Sequence, residues 1–195
     1  MFKFAKNLMV VGGLGLGLLA ACMPASADII PQLNSITPVG SEFLWEYTAD
    51  VTVSQYVDTG DYFTIYDFAG YVPGSDITPA GWSFSTLLTG VTPVGLVVTD
   101  NPGLPNLTWT RTGGVIPSNT NLGLFKAKSL YGAQTLTGYS AMGHKYHPDF
   151  IDNGRPTMNK GEIIAPVVPE PGTMALLGLG AAPLLRRLRR RSRKA

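Results

Sequence analysis

The chain has 195 residues, a formal net charge of +2 and a single cysteine. The positive charge lies at the two ends: between positions 28 and 168, twelve Asp and Glu residues stand against six Lys and Arg residues, which leaves a net charge of −6. An acidic surface repels phosphate backbones, so the composition argues against nucleic acid as a partner. The segment from 28 to 168 is long enough for one domain.

The N-terminus combines two lysines, Lys3 and Lys6, with an uncharged apolar stretch at 8–21. This order is typical of a secretory signal peptide. It predicts a signal helix at 1–27 and export by the secretion machinery, with removal of the helix by signal peptidase.

Two cleavage sites compete in the signal peptide. Small residues at Ala25 and Ala27 favour cleavage before Asp28. The alternative is a lipobox ending at Cys22, in which the cysteine would be lipidated and become the new N-terminus. Cleavage before Asp28 leaves a mature protein without cysteine, and therefore without a disulfide or a catalytic thiolate.

The middle of the chain shows the alternation of β-strands. Residues 43–53 place apolar side chains at every second position, which is the pattern of a half-buried strand. Further strands are predicted at 62–68, 82–88, 94–99, 107–112, 122–127 and 130–139. Turn signals recur about every eight to twelve residues, as in sandwiches and barrels. We therefore predict an all-β domain at 28–140, a jelly-roll-like antiparallel β-sandwich of about nine or ten short strands.

The segments on either side of these strands carry several prolines and glycines. Residues 28–41 are predicted to be an extended lead-in. Residues 141–168 are predicted to be a loop or spacer, with a closing edge strand at 162–168 as the alternative, since proline confines a strand to an edge.

Two short motifs suggest chemistry and are better explained by loops. Asp58-Thr59-Gly60 resembles one half of an aspartic protease loop, but the chain has no second copy to share a proton with it, so a turn is the preferred interpretation. His144 and His147 are three positions apart, a spacing that could serve a metal on a helix. The adjacent glycine and proline argue against a helix, and we predict an exposed loop without a metal.

The aromatic side chains suggest a second kind of site. Trp82 and Trp109 could stack on sugar rings, because a flat aromatic face covers the apolar face of a pyranose. Both lie on the apolar side of their predicted strands, where the core needs them. No catalytic grouping or cofactor site emerges from spacing, so we expect a protein that is not an enzyme and has no cofactor. A carbohydrate-binding module is the first alternative, and a secreted hydrolase is a weaker one.

Three signals follow one another at the C-terminus. Pro169-Glu170-Pro171 comes first, followed by an apolar stretch that predicts a membrane helix at 172–188. The basic residues that follow or overlap its end are Arg186, Arg187, Arg189, Arg190, Arg191 and Arg193. Arginines beyond an apolar segment stop translocation on the cytoplasmic side, so residues 169–195 are predicted to hold the chain in the inner membrane.

This order of tripeptide, apolar helix and arginine cluster resembles the sorting signal of bacterial PEP-CTERM proteins, which is read by a membrane transpeptidase called exosortase. Residues 60–68, 81–83 and 105–108 also resemble a segment that recurs in exported PEP-CTERM proteins, and this second likeness implies no activity. The first likeness implies exosortase as a partner, processing near Glu170, transient membrane attachment and delivery to the cell surface or extracellular matrix. It also implies a link to exopolysaccharide or biofilm. A permanent membrane anchor is the alternative.

Overall fold

The structure, a computed structural model, describes residues 29–170, and this range contains nine β-strands and no helix. The strands are β1 (Ile29–Val39), β2 (Glu42–Val51), β3 (Gln55–Tyr56), β4 (Tyr62–Ile65), β5 (Trp82–Leu87), β6 (Asn106–Arg111), β7 (Thr120–Ser129), β8 (Gln134–Lys145) and β9 (Pro156–Pro166). Within the described range there is consequently no helix long and apolar enough to span a membrane. The predicted signal peptide at 1–27 and membrane helix at 172–188 lie outside the described residues.

The nine strands form two sheets. The first has three strands in the order β1-β2-β7, and the second has six, in the order β3-β8-β4-β6-β5, with β9 paired to β8. Every pairing between these strands is antiparallel. The all-β, antiparallel fold class is therefore confirmed over residues 29–170.

Strand β2 shows how the sequence pattern produces the core. Trp45, Tyr47, Ala49 and Val51 are buried at alternate positions, because successive side chains of a strand point to opposite faces. A two-residue turn joins β1 to β2, and Gly40 in that turn has a φ of 64°, which a side chain would disfavour. The predicted strand at 43–53 is thus confirmed over most of its length.

An aromatic cluster joins the two sheets. Phe125 of β7 has its ring centroid 4.9 Å from that of Phe63 on β4, 5.2 Å from Trp82 on β5 and 5.7 Å from Trp109 on β6. These four residues belong to one core of buried residues drawn from both sheets. Aromatic packing therefore stabilises the fold where disulfides cannot.

The predicted lead-in at the start of the domain and one predicted strand differ from the structure. The predicted lead-in at 28–41 is mostly strand β1, which tolerates its prolines because it lies at the edge of its sheet. The predicted strand at 94–99 is absent, and these residues belong to the connection between β5 and β6. Pro93 and Gly95, whose φ is 90°, form a turn there, with the Leu96 amide donating to the Pro93 carbonyl at 3.1 Å.

The prediction of a loop or spacer at 141–168 is wrong for 141–145 and 156–166, which are strand, and holds for the loop at 146–155. The alternative of a closing edge strand at 162–168 is confirmed as far as Pro166. Strand β8 continues to Lys145, and β9 pairs with it from Gln134↔Pro166 to His144↔Pro156. Gly161 in β9 lies opposite Tyr139, and a methyl group at Gly161 would come within 2.6 Å of the tyrosine ring. Gly161 therefore makes room for an aromatic ring within a sheet.

Candidate functional site

The C-terminal tripeptide begins directly after the last strand. The Val167 amide donates to the Ala133 carbonyl at 3.0 Å, and among residues 29–170 it is the last amide that forms a backbone hydrogen bond. Val168, Pro169 and Glu170 are exposed, whereas Pro171 and the C-terminal arginine cluster lie outside the described residues. The tripeptide therefore starts three positions after Pro166, the end of β9, with only Val167 and Val168 between them.

A buried carboxylate and a histidine meet at the start of β4. Asp61 is 0% exposed, and its Oδ2 lies 2.9 Å from Nδ1 of His144 and accepts the backbone amide of Asp58 at 2.7 Å. Burial raises the pKa of Asp61, and its hydrogen bonds oppose that effect. The pair ties the turn before β4 to the end of β8.

The two histidines bind different carboxylates. His144 lies on β8 beside Asp61, whereas Nδ1 of His147 is 3.4 Å from Oδ1 of Asp152. Lys145 also bonds that carboxylate, with Nζ 2.7 Å from Oδ2. Among residues 29–170, no group of three or more His, Cys, Asp or Glu side chains is arranged to hold a metal ion. The histidines thus hold segments of the fold together through Asp61 and Asp152.

The Asp58-Thr59-Gly60 motif is a turn, as preferred from the sequence. The Thr59 amide donates to Oδ1 of Asp58 and its hydroxyl donates to the Gly113 carbonyl, both at 2.7 Å. The Asp61 amide closes the turn by donating to the Asp58 carbonyl at 3.0 Å. Gly60 has a φ of 95°, a conformation that glycine adopts readily.

A groove of about 480 Å³ lies beside this turn. It is lined by Tyr56, Asp58, Val115, Ser118, Tyr146 and Asn153, together with Pro117. Its wall combines aromatic rings, hydroxyls, a carboxylate and an amide. It therefore offers both apolar contact and hydrogen bonding to a ligand.

The residues of this groove come from distant parts of the chain. Tyr56 of β3 pairs with His144 of β8, and their rings stack with centroids 5.3 Å apart and planes 21° apart. Tyr146 follows β8 immediately, and its amide donates to the Ser54 carbonyl at 2.9 Å. The pairing of β3 with β8 thus brings the two tyrosines to the same groove. No local pattern of residues indicates that these two tyrosines meet.

The sugar contact predicted for Trp82 and Trp109 does not agree with their burial. Trp82 is 7% exposed and Trp109 is 0% exposed. The Trp109 ring stacks on Phe63 at 5.2 Å, and Trp82 packs edge-on against Phe125. Because their faces are covered by the core, neither ring can stack on a sugar in this fold. The possible sugar contact is therefore wrong for both, and their expected place in the core is confirmed.

Comparison with known proteins identifies the C-terminal segment. Residues 167–191 match the model of the PEP-CTERM protein-sorting motif. This confirms the likeness predicted from Pro169-Glu170-Pro171 and the arginine cluster. The motif implies an exported protein that is processed by an exosortase and is anchored at the membrane only transiently.

The other comparisons add little. A search of curated proteins finds no match to the sequence. One solved structure that resembles the chain is titled "AvmM Catalyzes Macrocyclization in Alchivemycin A Biosynthesis", with 10% sequence identity, coverage of 73% of this chain and 91% of that chain, and a TM-score of 0.31. A likeness this weak carries no argument about activity.

Proposed function

We propose that this chain, which carries the PEP-CTERM sorting motif at its C-terminus, is a non-enzymatic protein of the cell surface or extracellular matrix. An exosortase would cut near Pro169-Glu170-Pro171 and release a jelly-roll-like β-sandwich from its membrane anchor. The observation that carries this proposal is the position of the motif: it is matched from residue 167, immediately after the last residue of β9.

The geometry around the tripeptide suits recognition by an enzyme. Proline cannot join a helix interior and donates no backbone hydrogen bond, so Pro169 and Pro171 favour an extended, accessible chain. Glu170 supplies the one charge of the tripeptide and is exposed. An exosortase would thus meet an extended segment with the folded domain immediately before it.

The interior of the domain favours a structural role. Its best-placed acid and base, Asp61 and His144, hold a turn against β8, and the Asp61 carboxylate is covered by the fold. A general base must reach the proton that it removes. A carboxylate that is 0% exposed serves the stability of the turn better than it serves a substrate.

The experiment that tests the proposal is the intact mass of the protein recovered from the cell surface and, separately, from the membrane fraction. We expect wild type to end near the tripeptide, whereas Glu170→Ala retains the arginine tail and stays in the membrane. Glu162→Ala is the matched control, because Glu162 is an exposed carboxylate on β9 that lies eight positions before Glu170. This variant should be processed like wild type.

The same masses decide between the alternatives. If wild type keeps the arginine tail, the tail is a permanent anchor and the proposal of surface release is wrong. A mature N-terminus at Asp28 supports cleavage by signal peptidase, whereas a lipid-modified Cys22 supports the lipobox alternative.

A carbohydrate-binding module of the matrix is the second candidate function. The groove beside Tyr56 and Tyr146 favours it, since aromatic rings and hydrogen-bonding groups converge there. Such a module would link the released domain to exopolysaccharide and hence to biofilm. The proposed role in the matrix and this binding role are compatible.

A further inference from the structure

We propose that the groove between Tyr56 and Tyr146 binds a neutral saccharide. This inference rests on the proposed role in the extracellular matrix and deepens it by assigning a ligand class and a site. The groove's volume, about 480 Å³, falls within the range of small-molecule sites, roughly 300–1,000 Å³.

The chemistry of the wall fits a polyol. Tyr146 is 52% exposed, so its ring is available to cover the apolar face of a pyranose. Oδ1 of Asp58 accepts the Thr59 amide, and its second oxygen can accept from a sugar hydroxyl. Oδ1 of Asn153 accepts the His147 amide, which reserves the side-chain NH₂ of Asn153 as a donor.

The Tyr56 side of the groove is held in place before any ligand arrives. The Tyr56 ring stacks on His144, and His144 is oriented by its 2.9 Å contact with the buried Asp61. An ordered ring loses little freedom on binding, which favours affinity. The Asp61–His144 pair thus acts as a positioning element behind the groove.

Charge selects a neutral ligand over an anionic one. Among the described residues that line this groove, Asp58 alone is charged, and the segment from 28 to 168 carries a net charge of −6. An anionic sugar would be repelled by both. Another groove, about 470 Å³, is lined by Asp67, Lys160 and Glu162 among others, but by no aromatic ring of the described residues, and is less suited to sugar stacking.

The test is calorimetric titration of the full chain, purified in detergent, with defined oligosaccharides. The neutral probes are cellohexaose and β-1,4-mannohexaose, and the anionic probe is hexagalacturonate. We expect at least one neutral probe to bind and the anionic probe to bind more weakly. Tyr146→Ala should weaken binding of the neutral probe about tenfold, equivalent to ~1.4 kcal/mol.

The matched control is Phe150→Ala. Phe150 is an exposed aromatic residue of the same loop, 69% exposed, and does not line the groove. Its substitution should leave the affinity unchanged. A second variant, Asp58→Asn, retains an oxygen for the Thr59 amide and should weaken binding severalfold without loss of stability.

Three results would overturn the proposal: no binding of either neutral probe, preferred binding of hexagalacturonate, or equal losses in Tyr146→Ala and Phe150→Ala. The urea midpoint of each variant must match wild type for its affinity to count. Because the titration uses unprocessed protein, it is independent of sorting. Failure of the groove and failure of exosortase processing are thus distinguishable.

Discussion

Nδ1 of His144 lies 2.9 Å from Oδ2 of Asp61, although the two residues are 83 positions apart in the chain. The same oxygen accepts the backbone amide of Asp58 at 2.7 Å. One buried carboxylate oxygen therefore fixes the turn before β4 and also contacts the end of β8. Removing a buried acceptor leaves its donors without partners, which costs more than the bond itself contributes.

Substitution of Asp61 should therefore be costly. We expect Asp61→Ala to lower the free energy of unfolding by about 2–3 kcal/mol, because the Asp58 amide loses its acceptor and the His144 ring loses its hydrogen-bond partner. Asp149→Ala is the control, since Asp149 is an exposed carboxylate. Urea unfolding of both variants measures the difference. Equal stabilities would show that the buried pair contributes nothing beyond an exposed charge.

The loss of folding stability on acidification should depend on Glu46. Hydrogen bonds from Lys126 and Ser35 hold the pKa of Glu46 below its usual value of 4.5. A group whose pKa is lower in the folded state stabilises the fold at pH values above its unfolded-state pKa. This stabilisation is lost as the pH falls through its folded-state pKa. We expect Glu46→Gln to lose less stability than wild type between pH 5 and pH 3, roughly the window in which the carboxyl titrates. Urea midpoints across this range provide the measurement, and parallel profiles would contradict the prediction.

Asp61 should also affect folding stability at acidic pH, but in the opposite direction to Glu46. Burial raises its pKa above the usual 3.8, so the folded state binds its proton more readily than the unfolded chain does. Stability from this group is greatest below 3.8 and declines as pH rises toward the folded pKa. Asp61→Asn, compared with wild type in the same titration, should therefore show a steeper loss of stability on acidification. A shallower loss would reverse the assigned direction.

The sequence predicted features that depend on neighbouring residues. The alternation at 43–53 specified β2, and the adjacent signals at 169–195 specified the sorting motif. Strand β9 was predicted only as an alternative, and only from residue 162, because Gly154 and Pro156 suggest a loop, whereas the strand is stabilised by its pairing with β8. The groove was missed for a related reason. Tyr56 and Asn153 line the same groove because β3 pairs with the distant β8, and such long-range pairing leaves no periodic pattern in the sequence.

The contact between the sheets should depend on Phe125. Its ring lies within 5.7 Å of the rings of Phe63, Trp82 and Trp109, and its side chain is 0% exposed. We expect Phe125→Ala to lower the free energy of unfolding by about 3–5 kcal/mol, because the substitution leaves a cavity at the centre of the core.

The neighbouring residue supplies the control for this core substitution. Leu124 belongs to the same strand but is 40% exposed, and we expect Leu124→Ala to cost less than about 1 kcal/mol. Urea unfolding separates the two variants. Similar losses would mean that the two sheets do not depend on the aromatic cluster for their packing.

The Tyr66 hydroxyl should hold the connection between β5 and β6 on the six-stranded sheet. It donates to the Val91 carbonyl at 3.0 Å and lies 2.6 Å from the Thr92 hydroxyl and 2.8 Å from the Ser140 hydroxyl. The Tyr66 side chain is 0% exposed, so water cannot readily replace these bonds. We expect Tyr66→Phe to lower the free energy of unfolding by about 1–2 kcal/mol.

Hydrogen exchange distinguishes this local role from a general loss of stability. In Tyr66→Phe, amides at 88–105 should exchange faster, including the Gly90 amide, which donates to Asp100 at 3.0 Å. Amides of β2 and β7 should remain as strongly protected relative to one another as in wild type. Tyr146→Phe, which removes an exposed hydroxyl, should change neither property. A uniform increase in exchange across both sheets would contradict this prediction. It would mean that the Tyr66 hydroxyl stabilises the whole domain and not specifically the connection that contains Val91 and Thr92.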